Sequence, residues 1–123
     1  MFAAPDTILG WHAHVYVDAA SAEAARRLRE AIGAAFPEAV LGRWHDVPVG
    51  PHPAAMYQVA FPPALFPTLV PFIALNRDGL TVLVHPDTGH PRADHERHAL
   101  WMGAVLPLRT AMLPEQAAPA VRS

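Results

Sequence analysis

Residues 11–18 read Trp-His-Ala-His-Val-Tyr-Val-Asp, an unbroken alternation of apolar side chains with polar or titratable ones. Successive side chains of a β-strand point to opposite faces, so this period of two fits a strand and not a helix. Trp11, Ala13, Val15 and Val17 share one face. His12, His14, Tyr16 and Asp18 share the other. A chain built on this strand must cover the first face with its core. It must also find partners for two histidines on the second.

Further along, the spacing predicts a helix over Ser21–Phe36, with Leu28 and Ile32 on its buried side and Asp18 or Ser21 at its start. Pro37 ends it. Ala39–Asp46 reads as a second strand, Pro48–Pro53 as a rigid turn and Ala54–Phe61 as a third strand. Pro63–Leu75 carries Leu65, Leu69, Phe72 and Ile73 at helical spacing, although Pro71 is expected to kink or shorten that helix. Asn76–Gly79 is a turn. Leu80–His85 is a fourth strand, Asp87–Pro91 a loop, and Asp94–Val105 a third helix. Pro114–Ser123 reads as a flexible tail. The order β-α-β-β-α-β plus a C-terminal helix is the split-βαβ, ferredoxin-like α+β arrangement. Its sheet order is 4-1-3-2, with both main helices on one face.

The 123 residues, 52% of them apolar, suit one domain over 1–123 with a core of about residues 10–107. The chain has no cysteine, which excludes disulfides and thiolate metal sites. No apolar run approaches the roughly 20 residues of a membrane span. The first ten residues lack a basic stretch, so no signal peptide is expected and the cytoplasm is the expected location. The net charge is −2 and the nine basic residues, all arginine, are scattered, which excludes a basic nucleic-acid-binding face.

Eight histidines in a chain this short call for an account of their positions. In the expected topology the first strand is central, parallel to the third and antiparallel to the fourth. His12 at the start of the first strand, His52 at the start of the third and His85 at the end of the fourth then fall at one edge of the sheet. His14 shares the face of His12. Neutral imidazole is the commonest metal ligand, and three or four such nitrogens suit zinc or non-haem iron(II). His45 reads as a surface or partner-contacting residue and His90 as a loop residue. His98, one helical turn from Asp94, is placed to pair with it.

Four blocks carry a resemblance: Gly10–Asp18 (GWHAHVYVD), Pro48–Phe61 (PVGPHPAAMYQVAF), Leu75–Gly89 (LNRDGLTVLVHPDTG) and Ala93–Gly103 (ADHERHALWMG). In this order and spacing they are similar to the signature segments of the DOPA 4,5-dioxygenase family, over roughly Gly10–Pro107. The resemblance implies a ferredoxin-like fold and extradiol cleavage of a catechol with O2 and iron(II); zinc is an alternative occupant in purified protein. The family's histidines fall on His12, His14, His52, His85 and His95. His90 departs from the pattern, since an acidic or polar residue is more usual after Thr88-Gly89. Extradiol chemistry needs open coordination positions, so three of His12, His14, His52 and His85 are expected to be ligands. His95 is expected to move protons, oriented by Asp94 or a backbone group, with His14 as a further acid–base candidate. Arg43 could hold a substrate carboxylate.

Two rival readings stand beside this one. A ferredoxin-like sheet with a helix-free face and an exposed Trp44 suggests a homodimer, with the histidines serving as a structural metal site or lining an interface. A metal-dependent hydrolase is disfavoured, because no carboxylate falls on the histidine face to act as general base.

Overall fold

The structure is a computed structural model that describes residues 1–117. Its elements are β1 (Gly10–Val17), α1 (Ala22–Ala35), β2 (Val40–Leu41), β3 (Ala55–Phe61), α2 (Phe66–Asn76), β4 (Val82–Asp87), α3 (Pro91–Glu96) and β5 (Leu100–Met102). Short 3-10 turns occupy Pro5–Thr7, Pro63–Leu65 and Thr110–Met112. The strands form one five-stranded sheet in the order β2-β3-β1-β4-β5, antiparallel throughout. The fold is α+β and compatible with the ferredoxin-like arrangement, with an added edge strand.

The apolar face of β1 meets the helices as the alternation requires. Ala13, Val15 and Val17 pack with Tyr57, Val59 and Phe61 of β3 and with Val82 and Val84 of β4. Ala25, Leu28 and Ile32 of α1 and Leu69 and Ile73 of α2 close this core. Each valine, leucine, isoleucine or phenylalanine among them contributes roughly 1.5–3 kcal/mol on burial. Tyr57 adds a buried hydrogen bond, donating its hydroxyl to the Ala25 carbonyl at 2.9 Å. Pro71 lies inside α2 without ending it. The packing of Leu69 and Ile73 outweighs the one backbone bond that proline removes. At the start of α1, Ser21 does not cap the helix; it and Asp18 bond each other instead, Asp18 N to Ser21 Oγ and Ser21 N to Asp18 Oδ1, both at 2.9 Å.

Several expectations need correction. β1 and β3 are antiparallel, not parallel: Trp11 faces Phe61 and Val17 faces Ala55. A hairpin-connected β2–β3 pair reverses direction, so β3 must oppose a β1 that runs with β2. The second strand shrinks to Val40–Leu41 and an isolated bridge between His45 and Met56. The expected helix over Asp94–Val105 is instead the end of α3 followed by β5, which pairs Leu100–Met102 with Val82–Val84. The free edge of β4 recruits Leu100, Trp101 and Met102, and pairing there outweighs helical propensity. Of the expected C-terminal tail, Ala117 donates its N–H to the Gly89 carbonyl at 2.8 Å, and Arg92 bonds the Leu113 carbonyl; residues 118–123 lie outside the described residues.

The second face of the sheet is not free either. Tyr16, Met56 and Leu83 form a smaller core there, covered by Val49 and Ala54 from the β2–β3 connection and by Trp101, Leu106 and Leu108 from the chain's end. The two covers are joined, since Arg109 donates its N–H to the Pro51 carbonyl at 2.8 Å. Trp44 is half-buried and stacks on Tyr57, with ring centroids 5.4 Å apart. Both features that suggested a homodimer are therefore absent: the helix-free face is roofed and the tryptophan is packed.

Candidate metal centre

His12 and His85 are direct cross-strand partners on β1 and β4. His14 follows two residues later on the same face, opposite Leu83. Strand alternation thus delivers three imidazoles to one side of the sheet. The Nε2 atoms of His14 and His85 are 3.0 Å apart. The ring centroids of His12 and His85 are 5.1 Å apart.

His52 arrives by another route. Because β1 and β3 are antiparallel, the start of β3 lies at the Val17 end of β1, away from His12. His52 reaches the cluster only because the β2–β3 connection folds back over the sheet. Its ring centroid lies 4.2 Å from that of His14, and its Nδ1 is 2.7 Å from the Tyr16 hydroxyl. His95 comes from α3, which leans over β4 and brings its ring centroid to 4.0 Å from that of His85. All five rings are buried.

Backbone carbonyls fix two of these rings. His85 donates from Nδ1 to the Pro86 carbonyl at 2.9 Å. His95 donates from Nδ1 to the Pro91 carbonyl at 2.7 Å, one helical turn back. Asp94 does not orient His95. Its buried carboxylate instead accepts from Thr88 N at 2.8 Å, Thr88 Oγ1 at 2.7 Å and His98 Nδ1 at 3.0 Å. Those bonds tie the β4–α3 loop and hold the start of α3 in place. His98 is paired as expected. His90 is exposed and bonds the Thr88 carbonyl, and half-buried His45 sits in its strand bridge; neither joins the cluster.

Burial lowers the pKa of every clustered histidine. His14 and His85 are pushed well below the ordinary value, first by desolvation and then by their imidazole neighbours. His52 falls to about 4, from desolvation, His95 and His45. His12 and His95 are lowered more gently, because other groups oppose desolvation: Asp87 and Asp94 for His12, and the Pro91 carbonyl followed by Asp94 for His95. The cluster is a set of neutral imidazoles, the form that binds metals.

The residues present fit a metal ion. Ligand nitrogens of His12, His14 and His85 lie within 4.8 Å of one another, as do those of His14, His52 and His95. His14 Nδ1 is buried with no hydrogen-bond partner among the described residues. Beside His12 a groove of about 280 Å³ opens between Trp11, Val40, Phe61 and Asp87. A wider depression of about 500 Å³ behind α3, edged by Arg92, Arg97 and Glu115, contains none of the five clustered histidines.

The five histidines that the sequence brought forward lie in one buried cluster, while Tyr16 and the Thr88 bonds of Asp94 were not anticipated. The alternation of β1 already put Tyr16 on the histidine face. Of the partners of Asp94, His98 was marked by its helical spacing, whereas Thr88 comes from the folded loop.

Residues 11–112 match the model of the Dopa 4,5-dioxygenase family. A "DOPA 4,5-dioxygenase" of Amanita muscaria is 37% identical over 112 residues, which are 85% of this chain and 49% of that protein. An uncharacterized 21.2 kDa protein of Botryotinia fuckeliana is 37% identical over 81% of this chain and 59% of its own length. The chain thus spans about half the length of these curated relatives. A crystal structure of a proposed dioxygenase from Nostoc punctiforme is 53% identical, with a TM-score of 0.89 over 91% of this chain and 96% of that one.

Proposed function

Because this chain belongs to the Dopa 4,5-dioxygenase family, we propose that it is an extradiol dioxygenase opening a catechol ring with O2 and one iron(II) ion held by His12, His14 and His85. The observation that carries the ligand choice is the approach of His14 Nε2 to His85 Nε2 at 3.0 Å, on rigid strands with His12 directly across from His85. When bound, iron(II) supplies Lewis acidity and one-electron chemistry to an ortho-diol and O2. The substrate class is a catechol, DOPA-like or related. Both atoms of O2 enter the product, a ring-opened muconic semialdehyde.

The chain's own residues prepare that reaction. Three neutral ligands leave room for substrate. His95, with Nδ1 committed to Pro91, turns the lone pair of Nε2 inward and accepts a proton from a catechol hydroxyl. Leu83, Tyr16 and Met56 exclude water on the other side. No helix among the described residues is long and apolar enough to cross a membrane.

Oxygen uptake by iron(II)-reconstituted protein, screened over catechols, tests the reading. Uptake with a yellow semialdehyde product supports it. No uptake with any catechol, from protein that holds one iron per chain, rejects it. The rival, a closed non-catalytic zinc site, draws on the fact that His14, His52 and His95 also converge. It predicts tight zinc binding and no oxygen chemistry.

A further inference from the structure

The Tyr16 hydroxyl has a single hydrogen-bond partner among the described residues, Nδ1 of His52 at 2.7 Å. The tyrosine is buried, and its ring stacks on Trp101 with centroids 6.0 Å apart and planes 20° apart. An ordinary phenol, with a pKa of about 10, keeps its proton at neutral pH. A neutral imidazole has one N–H and one lone pair, and which nitrogen holds the hydrogen is set by its partners.

Two arrangements satisfy the distance. If His52 donated from Nδ1, the phenol would accept, and its own proton would lack a protein acceptor in a buried place. An unsatisfied buried donor costs about 1–3 kcal/mol. If Tyr16 donates to the Nδ1 lone pair, the phenol proton is paired, and the ring hydrogen of His52 sits on Nε2, which is not among the buried unpaired atoms of the described residues. His85 and His95 are set the opposite way. Their Nδ1 atoms face carbonyl oxygens, which only accept, so their Nε2 atoms carry lone pairs.

We propose that Tyr16 holds His52 as the Nε2–H tautomer, so that His52 faces the cluster as a hydrogen-bond donor and not as a metal ligand. Tyr16 is then a positioning residue that acts through His52. Resting on the dioxygenase reading, the pair of histidines outside the ligand set has divided roles. His95 offers a lone pair, and His52, with its ring centroid 5.9 Å from that of His95, offers a hydrogen to an oxygen of the bound diol or of the opening ring.

The first test needs neither metal nor activity. Long-range ¹H–¹⁵N correlation spectra of ¹⁵N-labelled, metal-free protein separate the two tautomers of each neutral histidine. His52 is expected to show a hydrogen on Nε2 and a bare Nδ1, with His85 and His95 showing the reverse. Tyr16→Phe keeps the stacked ring and removes only the donor, so the His52 nitrogen shifts should move toward a mixture of tautomers. A hydrogen on Nδ1 of His52 in the wild-type protein overturns the proposal. So do His52 shifts that Tyr16→Phe leaves unmoved.

Zinc affinity, read by competition with a chelator, supplies the second arm. Losing an outer group that orients a ligand typically costs metal sites about 10–100-fold, so losing a true ligand should exceed that range. His85→Ala is expected to weaken zinc binding by more than about 100-fold, and His52→Gln by less than about 10-fold. Equal losses in the two variants overturn the donor assignment. If no variant alters zinc binding, the metal reading itself fails, and the tautomer spectra still decide the role of Tyr16.

Discussion

His12 and His85 face each other as a directly opposed pair across the β1–β4 ladder, so the two imidazoles are held by the sheet itself and not by loops. A site on paired strands has little freedom to rearrange when one ligand is lost. Replacing either residue by alanine is therefore expected to abolish stoichiometric iron(II) or zinc binding without unfolding the chain. Metal analysis alongside circular dichroism checks this. Full metal occupancy in both variants would rule out the ligand set.

His95 stands outside that set, on α3, with Nδ1 committed to the Pro91 carbonyl. His95→Gln is expected to retain metal and lower turnover by about 10²–10⁴-fold, the usual contribution of a general acid or base. Steady-state oxygen uptake on metal-quantified protein measures it. If the variant is stripped of metal, His95 is a ligand and the second triad with His14 and His52 is the true centre.

The buried carboxylate of Asp94 receives three hydrogen bonds, from Thr88 N, Thr88 Oγ1 and His98 Nδ1. Asp94→Ala leaves the Thr88 amide and hydroxyl without their acceptor. A loss of about 1–3 kcal/mol is expected for each donor left buried and unpaired. Urea denaturation should show it as a lower midpoint. Thr88→Val, which removes only the hydroxyl contact, should cost less. An unchanged midpoint for Asp94→Ala would show that the loop is held by other contacts.

Acid should destabilise the metal-free protein through the histidine cluster. The folded-state pKa values of His12, His14, His52, His85 and His95 all lie below the unfolded value of 6.5. Between those values the unfolded chain binds more protons, so stability rises with pH in that window. It is fully present above about pH 6.5 and declines as pH falls, with the His52 contribution gone below about 4. Urea midpoints measured from pH 8 to pH 4 should fall below pH 6.5. A flat profile would mean that the rings are solvated and not a neutral buried cluster.

In the apolar core, Ile32 of α1 is fully buried beneath the sheet. Ile32→Ala should cost about 2–5 kcal/mol by leaving a cavity the surrounding strands cannot close. A loss below about 1 kcal/mol would indicate that α1 packs loosely.

The sequence by itself determined the central strand and the face its histidines occupy. The alternation from Trp11 to Asp18 is a property of neighbouring residues, and the pleat converts it directly into two faces. His12 and His14 were legible for that reason, and His85 because Val82 and Val84 fix its phase on the next strand. The resemblance to a known family added His95, which no local pattern marks. Strand direction and long-range closure lay outside the sequence. The parallel placement of β1 and β3 expected from the sequence put His52 beside the other histidines by an incorrect route. The fold brings it there through a loop that doubles back over the sheet, tied by Arg109 to Pro51 and by Tyr16 to His52. The stretch from Leu100 to Met102 has helical company in sequence, yet it becomes a strand because the edge of β4 offers unpaired backbone groups. Side-chain phase is set within a few residues, whereas strand direction, edge pairing and the protonation of a ring nitrogen are set by whichever groups the folded chain brings within hydrogen-bond reach.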